Sequence, residues 1–245
     1  MRSMCTVVIR VPEPGQGAVR VLAVRDENPH RPWRPLGAWW PESPQVRGIQ
    51  DELAGGAWLA LDDRRLAVLV NLAGGADVAV PTSRGHLVLD ALADLPLPQP
   101  LTTLGFHLVA ADATGATLTS WRGGRPEHQR LTPGTHMVSH ADLDDPSFPR
   151  IAAWLPEFAA ASTDTDPWWT AWLGVLAESA ELDPTDPRAI IRDNRPDGHP
   201  TLSLLVAAIS VGADEDCGGV YAVMHEFDEP GVWDTPKLTP PSGRT

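Results

Sequence analysis

The chain has 245 residues, 42% of them hydrophobic, and a formal charge of −13 at pH 7. That length predicts one sizeable domain. So acidic a surface excludes nucleic acid and anionic lipid as partners. No run approaches the roughly 20 apolar residues of a membrane-spanning helix. Arg10 and Glu13 interrupt the apolar run behind Cys5, so the N-terminus does not read as a signal peptide. A cytoplasmic protein without membrane insertion is expected. Two cysteines, Cys5 and Cys217, without a secretion signal predict free thiols rather than a disulfide. Most of the ten tryptophans are expected in the core.

Residues 5–11 (CTVVIRV) and 19–24 (VRVLAV) alternate as strands around a Pro/Gly turn. A second strand pair is predicted at 56–61 and 65–72, followed by a helix over 83–92 that Ser83 can cap. Strands follow at 105–111, 116–121 and 135–139. Helical spacing over 147–161 contains Pro156, which predicts a kink or an early end. In the next helix Asp166 is the expected N-cap and Pro167 the first helical residue, with Trp168, Trp169 and Trp172 on a broad apolar face. A short helix is expected at 187–193, and strands at 201–209 and 219–227 close the domain. Strands, then helices, then strands predict one layered α+β domain. It is expected to span residues 4–233, with 234–245 a disordered tail.

The sequence holds no glycine-rich phosphate loop and no G-x-S-x-G elbow. His136 and His140 stand four apart before Asp142, Asp144 and Asp145, but HMVSH reads as a strand, so structural hydrogen bonding is expected rather than a metal. No cofactor is expected. Cys217 sits among carboxylates in DEDCGGVY, which raise a thiol pKa, and is expected to be unreactive.

The segment AVRDENPHRPW is more informative, because a strand runs abruptly into Arg25, Asp26, Glu27 and Asn28, then Arg31. Alone it would be a solvated turn. Pairing of the first two strands, however, brings it beside Cys5, where charge can activate a thiol.

MCTVV, VRDENPHRPW, GGAWLAL, VNLAGG, SRGHLVLDAL, FHLVAAD and LTPGTHMVSH follow one another in this order. Together they resemble the successive blocks of the NRDE (transport and Golgi organisation protein 2-like) family, whose motif is matched by Val24-Arg25-Asp26-Glu27. The resemblance implies a four-layer αββα sandwich of two antiparallel sheets flanked by helices, as in N-terminal-nucleophile hydrolases. It also implies that Cys5 is the first residue of the mature chain. A free α-amine there could take the thiol proton, and the thiolate could attack an amide or ester carbonyl to form a thioester. Either translation starts at Met4, or Met-Arg-Ser-Met is cut away.

By the same resemblance Asp26 holds the α-amine, Arg25 bonds the thiolate or a substrate oxygen, and Asn71 stabilises an oxyanion. A strand-end turn role fits Asn71 equally well. His140 stands where the family has asparagine and could donate in its stead. His107, Glu27, Asn28 and Arg31 are the expected substrate-binding residues. His107 and Gly198-His199-Pro200 depart from the family pattern. The expected activity is that of a cysteine amidohydrolase or acyltransferase on a small apolar acyl amide or ester. The alternative is a non-catalytic carrier of haem, acyl-CoA or another apolar ligand, with His107, His136 or His140 on haem iron. A homo-oligomer is compatible with either.

Overall fold

The computed structural model describes residues 5–212 and 219–238. In chain order the first strands are β1 (Thr6–Val11), β2 (Val19–Glu27), β3 (Trp33–Gly37), β4 (Arg47–Asp51), β5 (Ala57–Leu61) and β6 (Leu66–Gly75). Helix α1 (Gly85–Leu92) precedes β7 (Leu104–Asp112), β8 (Gly115–Trp121), β9 (Glu127–Arg130) and β10 (Gly134–Val138). Helices α2 (Pro149–Ala160) and α3 (Thr170–Ser179) lead to β11 (Leu202–Gly212) and β12 (Gly219–Glu226).

The strands form two antiparallel sheets, one ordered β10-β1-β2-β11-β12 and the other running from β3 to β9 in sequence order. Alternation along each strand decides which way its side chains face. Val7, Ile9, Val21 and Ala23 of the first sheet meet Leu59, Leu61, Val68 and Val109 of the second in a buried layer between the sheets. The opposite face of the first sheet, with Val8, Leu22, Val24 and Val206, is covered by Ile151 and Phe158 of α2 and Trp172 and Leu176 of α3. Leu87, Val88 and Leu92 of α1 cover the outer face of the second sheet, against Ala60, Leu69 and Phe106. The result is the expected αββα sandwich, and each fully buried aliphatic side chain in it contributes about 1.5–3 kcal/mol.

Several local expectations need correction. Residues 187–193 form no helix: the buried run Ala189–Ile191 is irregular, and its backbone is held by side chains instead. The Ile190 N–H donates to Ser179 Oγ at 2.8 Å and the Arg192 N–H to Ser203 Oγ at 2.9 Å. Helix α3 starts at Thr170, not Pro167, and its first turn is closed by Thr170 N–H and Oγ on the Pro167 carbonyl. Ser83 does not cap α1, although its Oγ accepts from the Gly85 N–H at 3.3 Å. Pro156 lies inside α2, which continues to Ala160 because buried Ile151 and Phe158 anchor both sides of it.

Strands β3, β4 and β9 had not been expected. Cys217 lies outside the described residues. So do residues 239–245 of the expected tail, whereas Asp234 accepts from His225 Nε2–H at 2.7 Å and from the Asp228 N–H at 3.0 Å.

Candidate active site

Cys5 immediately precedes β1, and the pairing Thr6↔Val24 places it beside the end of β2. The backbone of Asp26 grips the thiol: its N–H donates to Sγ at 3.3 Å, and Sγ lies 3.5 Å from its carbonyl oxygen. The residue is only 3% exposed, yet it lines a cavity of about 400 Å³.

That cavity opens where the ends of both sheets meet the N-terminus of α1. Its walls include Arg25, Glu27 and Arg31 from β2 and its following turn, Asp51 and Trp58 from the second sheet, Asn71 from β6, and Ser83, Arg84 and Gly85 at the start of α1. Two glycines allow that last approach. A Cβ on Gly56 would stand 2.5 Å from the Gly85 carbonyl carbon, and one on Gly85 would stand 3.0 Å from Ala57 N.

Alternation along β2 sends Arg25 and Asp26 to opposite faces. Arg25 enters the layer between the sheets, with its guanidinium carbon 5.4 Å from the Trp33 ring centroid and 5.9 Å from that of Trp58. Its nearest carboxylate is Glu27, at 3.9 Å. Burial lowers the pKa of Arg25, with Glu27 and Cys5 opposing. Arg84 is also lowered by burial and opposed by Cys5 and Glu27. Cys5 likewise favours the charged form of Arg150, which burial holds down to about 10. These attractions are mutual and offset part of the cost of burying charge at Cys5.

Asp26 turns to the helical side of the sheet. Its Oδ1 accepts from Ser203 Oγ at 2.6 Å, at a bulge where β11 slips its register against β2. Burial raises its pKa, with Arg150, Ser203, Asn194 and Arg192 opposing. Arg150 also donates to Thr6 Oγ1 at 2.8 Å, tying α2 to the residue after Cys5. Asp26 thus holds the thiol through its main chain and anchors the helical layer through its side chain.

Of the residues expected in the site, Cys5, Arg25, Asp26, Glu27, Arg31 and Asn71 meet at the cavity. Arg31 is committed to Asp51, at 3.0 Å through Nε and 2.5 Å through Nη2. Asn28, His107 and His140 do not line it. Asn28 shapes the turn, its N–H on Glu27 Oε1 and its Oδ1 accepting from the His30 N–H. His107 is 1% exposed and spends Nε2–H on the Ala141 carbonyl at 2.8 Å, while Nδ1 meets Ser120 Oγ at 2.7 Å. His140 packs edge-on against Phe148 with ring centroids 4.6 Å apart. His136 bonds Asp144 Oδ2 and the Thr132 carbonyl. Among the described residues no group of His, Cys, Asp and Glu side chains forms a metal site.

Sequence reasoning missed Arg84, Trp58, Asp51, Arg150 and Ser203. The only available signal was their position inside the blocks GGAWLAL and SRGHLVLDAL for two of them.

Cys5 is thus a buried thiol at the head of an inner strand, in a charged cavity at one end of an αββα sandwich. The chain is a member of the Transport and Golgi organisation 2 family, whose model matches residues 4–185. It is similar to the Transport and Golgi organization 2 homolog of Mus musculus, 31% identical over 163 residues. That match covers 58% of this chain and 59% of the mouse protein. The family model ends before β11, so Ser203 lies outside the matched region.

No helix among the described residues is long and apolar enough to cross a membrane.

Proposed function

We propose that the protein is a cysteine N-terminal-nucleophile amidohydrolase or acyltransferase of the cytoplasm, where its thiol stays reduced. Removal of residues 1–4 frees the Cys5 α-amine, whose ordinary pKa of about 7.7–8.0 suits a base at neutral pH. The amine accepts the thiol proton and Sγ attacks the carbonyl carbon of an amide or ester. The leaving amine or alcohol departs with that proton, and a thioester remains on Cys5. Water or an amine then attacks the thioester and regenerates the thiol. Arg25 stabilises the thiolate, and the Asn71 side-chain amide donates to the developing oxyanion.

The observation that carries this reading is Cys5 itself: held by the Asp26 main chain and lining a cavity that Arg25 and Arg84 also line. Such a setting favours a reactive thiolate. A haem carrier has no comparable support, because His107 and His136 have both ring nitrogens bonded within the protein and His140 lies outside the cavity.

Incubation with p-nitrophenyl butyrate tests the proposal. The expected result is a burst of nitrophenolate and one butyryl group on Cys5, both abolished in Cys5→Ala. Equal turnover by Cys5→Ala would contradict it.

A further inference from the structure

The cavity offers hydrogen-bond donors that the protein does not itself use. Arg25 Nη1 and Trp58 Nε1 are both buried and have no hydrogen-bond partner among the described residues. Both residues line the cavity, and both are more than nine-tenths buried. A buried donor left unmet costs about 1–3 kcal/mol, so two unmet donors on residues that line the cavity point to an acceptor that arrives from outside.

The charge balance specifies that acceptor. Three guanidiniums in the lining, Arg25, Arg31 and Arg84, face two carboxylates, Glu27 and Asp51. Asp26 also lines the cavity, but its carboxylate is engaged by Ser203 on the helical side, where Arg150 and Arg192 offset it. Arg31 and Asp51 neutralise one another. Arg84 gives Nη1 to the Gly105 carbonyl at 2.8 Å and makes no salt bridge among the described residues. The N-terminus of α1 adds to the positive side, since its first turn carries no acidic residue and Ser83 Oγ engages only the Gly85 N–H. Whenever Cys5 is neutral, as thiol or thioester, the lining keeps a net positive charge, and a freed Cys5 α-amine only adds to it.

We propose that this wall is a carboxylate-binding subsite, formed by Arg25 Nη1, Trp58 Nε1, Arg84 and the N-terminal turn of α1. The acyl compound brought to Cys5 is therefore a monoanion with its carboxylate near the scissile carbonyl, not a wholly apolar molecule. A carboxylate's two oxygens accept several hydrogen bonds, which matches the two unused donors. A phosphate dianion would bring a second negative charge toward Glu27 and Asp51, which share the lining. The inference rests on the assignment of Cys5 as the reacting group, but the binding itself does not need the reaction.

Titration calorimetry on the full-length Cys5→Ala chain, with hexanoate and its uncharged isostere hexanamide, separates the two. Hexanoate is expected to bind at least about tenfold more tightly, the scale of one charge-assisted hydrogen bond. Arg84→Gln and Trp58→Phe should each weaken hexanoate about three- to tenfold and hexanamide by less, since a neutral carbonyl accepts the weaker bond. Trp58→Phe keeps the ring against Arg25, so it tests the N–H without depending on a disruptive change. Equal binding of acid and amide, binding of neither, or displacement of hexanoate by inorganic phosphate at equal concentration would overturn the subsite. Tight hexanoate binding by a protein whose Cys5 never acylates would uphold the subsite and refute only the nucleophile.

Discussion

Arg150 should be worth more to the fold than any other single polar side chain, because two costs meet there. It is wholly buried, as is Asp26, and each is the largest charge opposing the other's burial penalty. Arg150→Met keeps the volume of the side chain but leaves the Asp26 carboxylate buried with Ser203, Asn194 and Arg192. Removing the main counter-charge of a buried carboxylate costs on the order of 3–5 kcal/mol. The lost bond to Thr6 Oγ1 adds about 1 kcal/mol. For a domain of this size a loss of about 4–6 kcal/mol lowers Tm by roughly 8–24 °C.

The sign of the pH dependence follows from Asp26. Burial raises its pKa in the folded protein, so the unfolded chain gives up this proton more readily. Ionisation of Asp26 therefore weighs against folding above its native pKa, and that penalty recedes as pH falls below it and is gone below the ordinary carboxylate range. The deficit of Arg150→Met, read by circular dichroism melts, should be largest at pH 8 and smaller at pH 5. Adding Asp26→Asn should recover most of it, a coupling visible in the double-mutant cycle. A Tm within 3 °C of the parent for Arg150→Met, or a double variant no better than the single, would refute the pairing.

Arg25→Met should slow iodoacetamide alkylation of Cys5 at neutral pH and move the pH midpoint of labelling upward, because it removes a cation that favours the thiolate. An unchanged profile would exclude that role. Burial holds His107 below the ordinary histidine range, so the unfolded chain takes up the proton first as pH falls through about 6.5. The stability contributed by neutral His107 is complete above that pH and is lost below it, and urea melts of His107→Gln should show a flatter decline between pH 7 and pH 5. Gly85→Ala should cost about 1–3 kcal/mol, since the new Cβ meets backbone of Gly56 and Ala57 at about 3.0 Å. Gly174→Ala, on the exposed side of α3 with nothing within 4 Å, should instead stabilise by about 0.5–1 kcal/mol in the same melts.

The strands that bury both faces were legible from alternation and apolar runs, as at CTVVIRV, LAVLVN and TLSLLVAAI. Strands β3 and β9 were not, because they are the outer strands of the second sheet. β9 (EHQR) is exposed throughout and β3 (WRPLG) carries Pro35, so neither shows a buried period. The irregular segment 187–193 resembled a helix because PRAIIRD concentrates apolar residues, while the side chains that hold it, Ser179 and Ser203, are remote in sequence. The site divides the same way. Cys5 and Arg25 come from neighbouring strands of one sheet, so their meeting followed from a single predicted hairpin. Trp58, Arg84 and Asp51 come from the other sheet and α1, and reach the cavity only through the stacking of the two sheets. Asp26 comes from the same hairpin, and its alternation with Arg25 along β2 brings its carboxylate to Ser203 on the helical face.

The most direct test of the account is the intact mass and N-terminal sequence of the purified protein after exposure to p-nitrophenyl butyrate. The account predicts a chain that begins at Cys5, with a free α-amine and a butyryl group on that residue. A chain that retains residues 1–4 and carries no acyl group on Cys5 would contradict it.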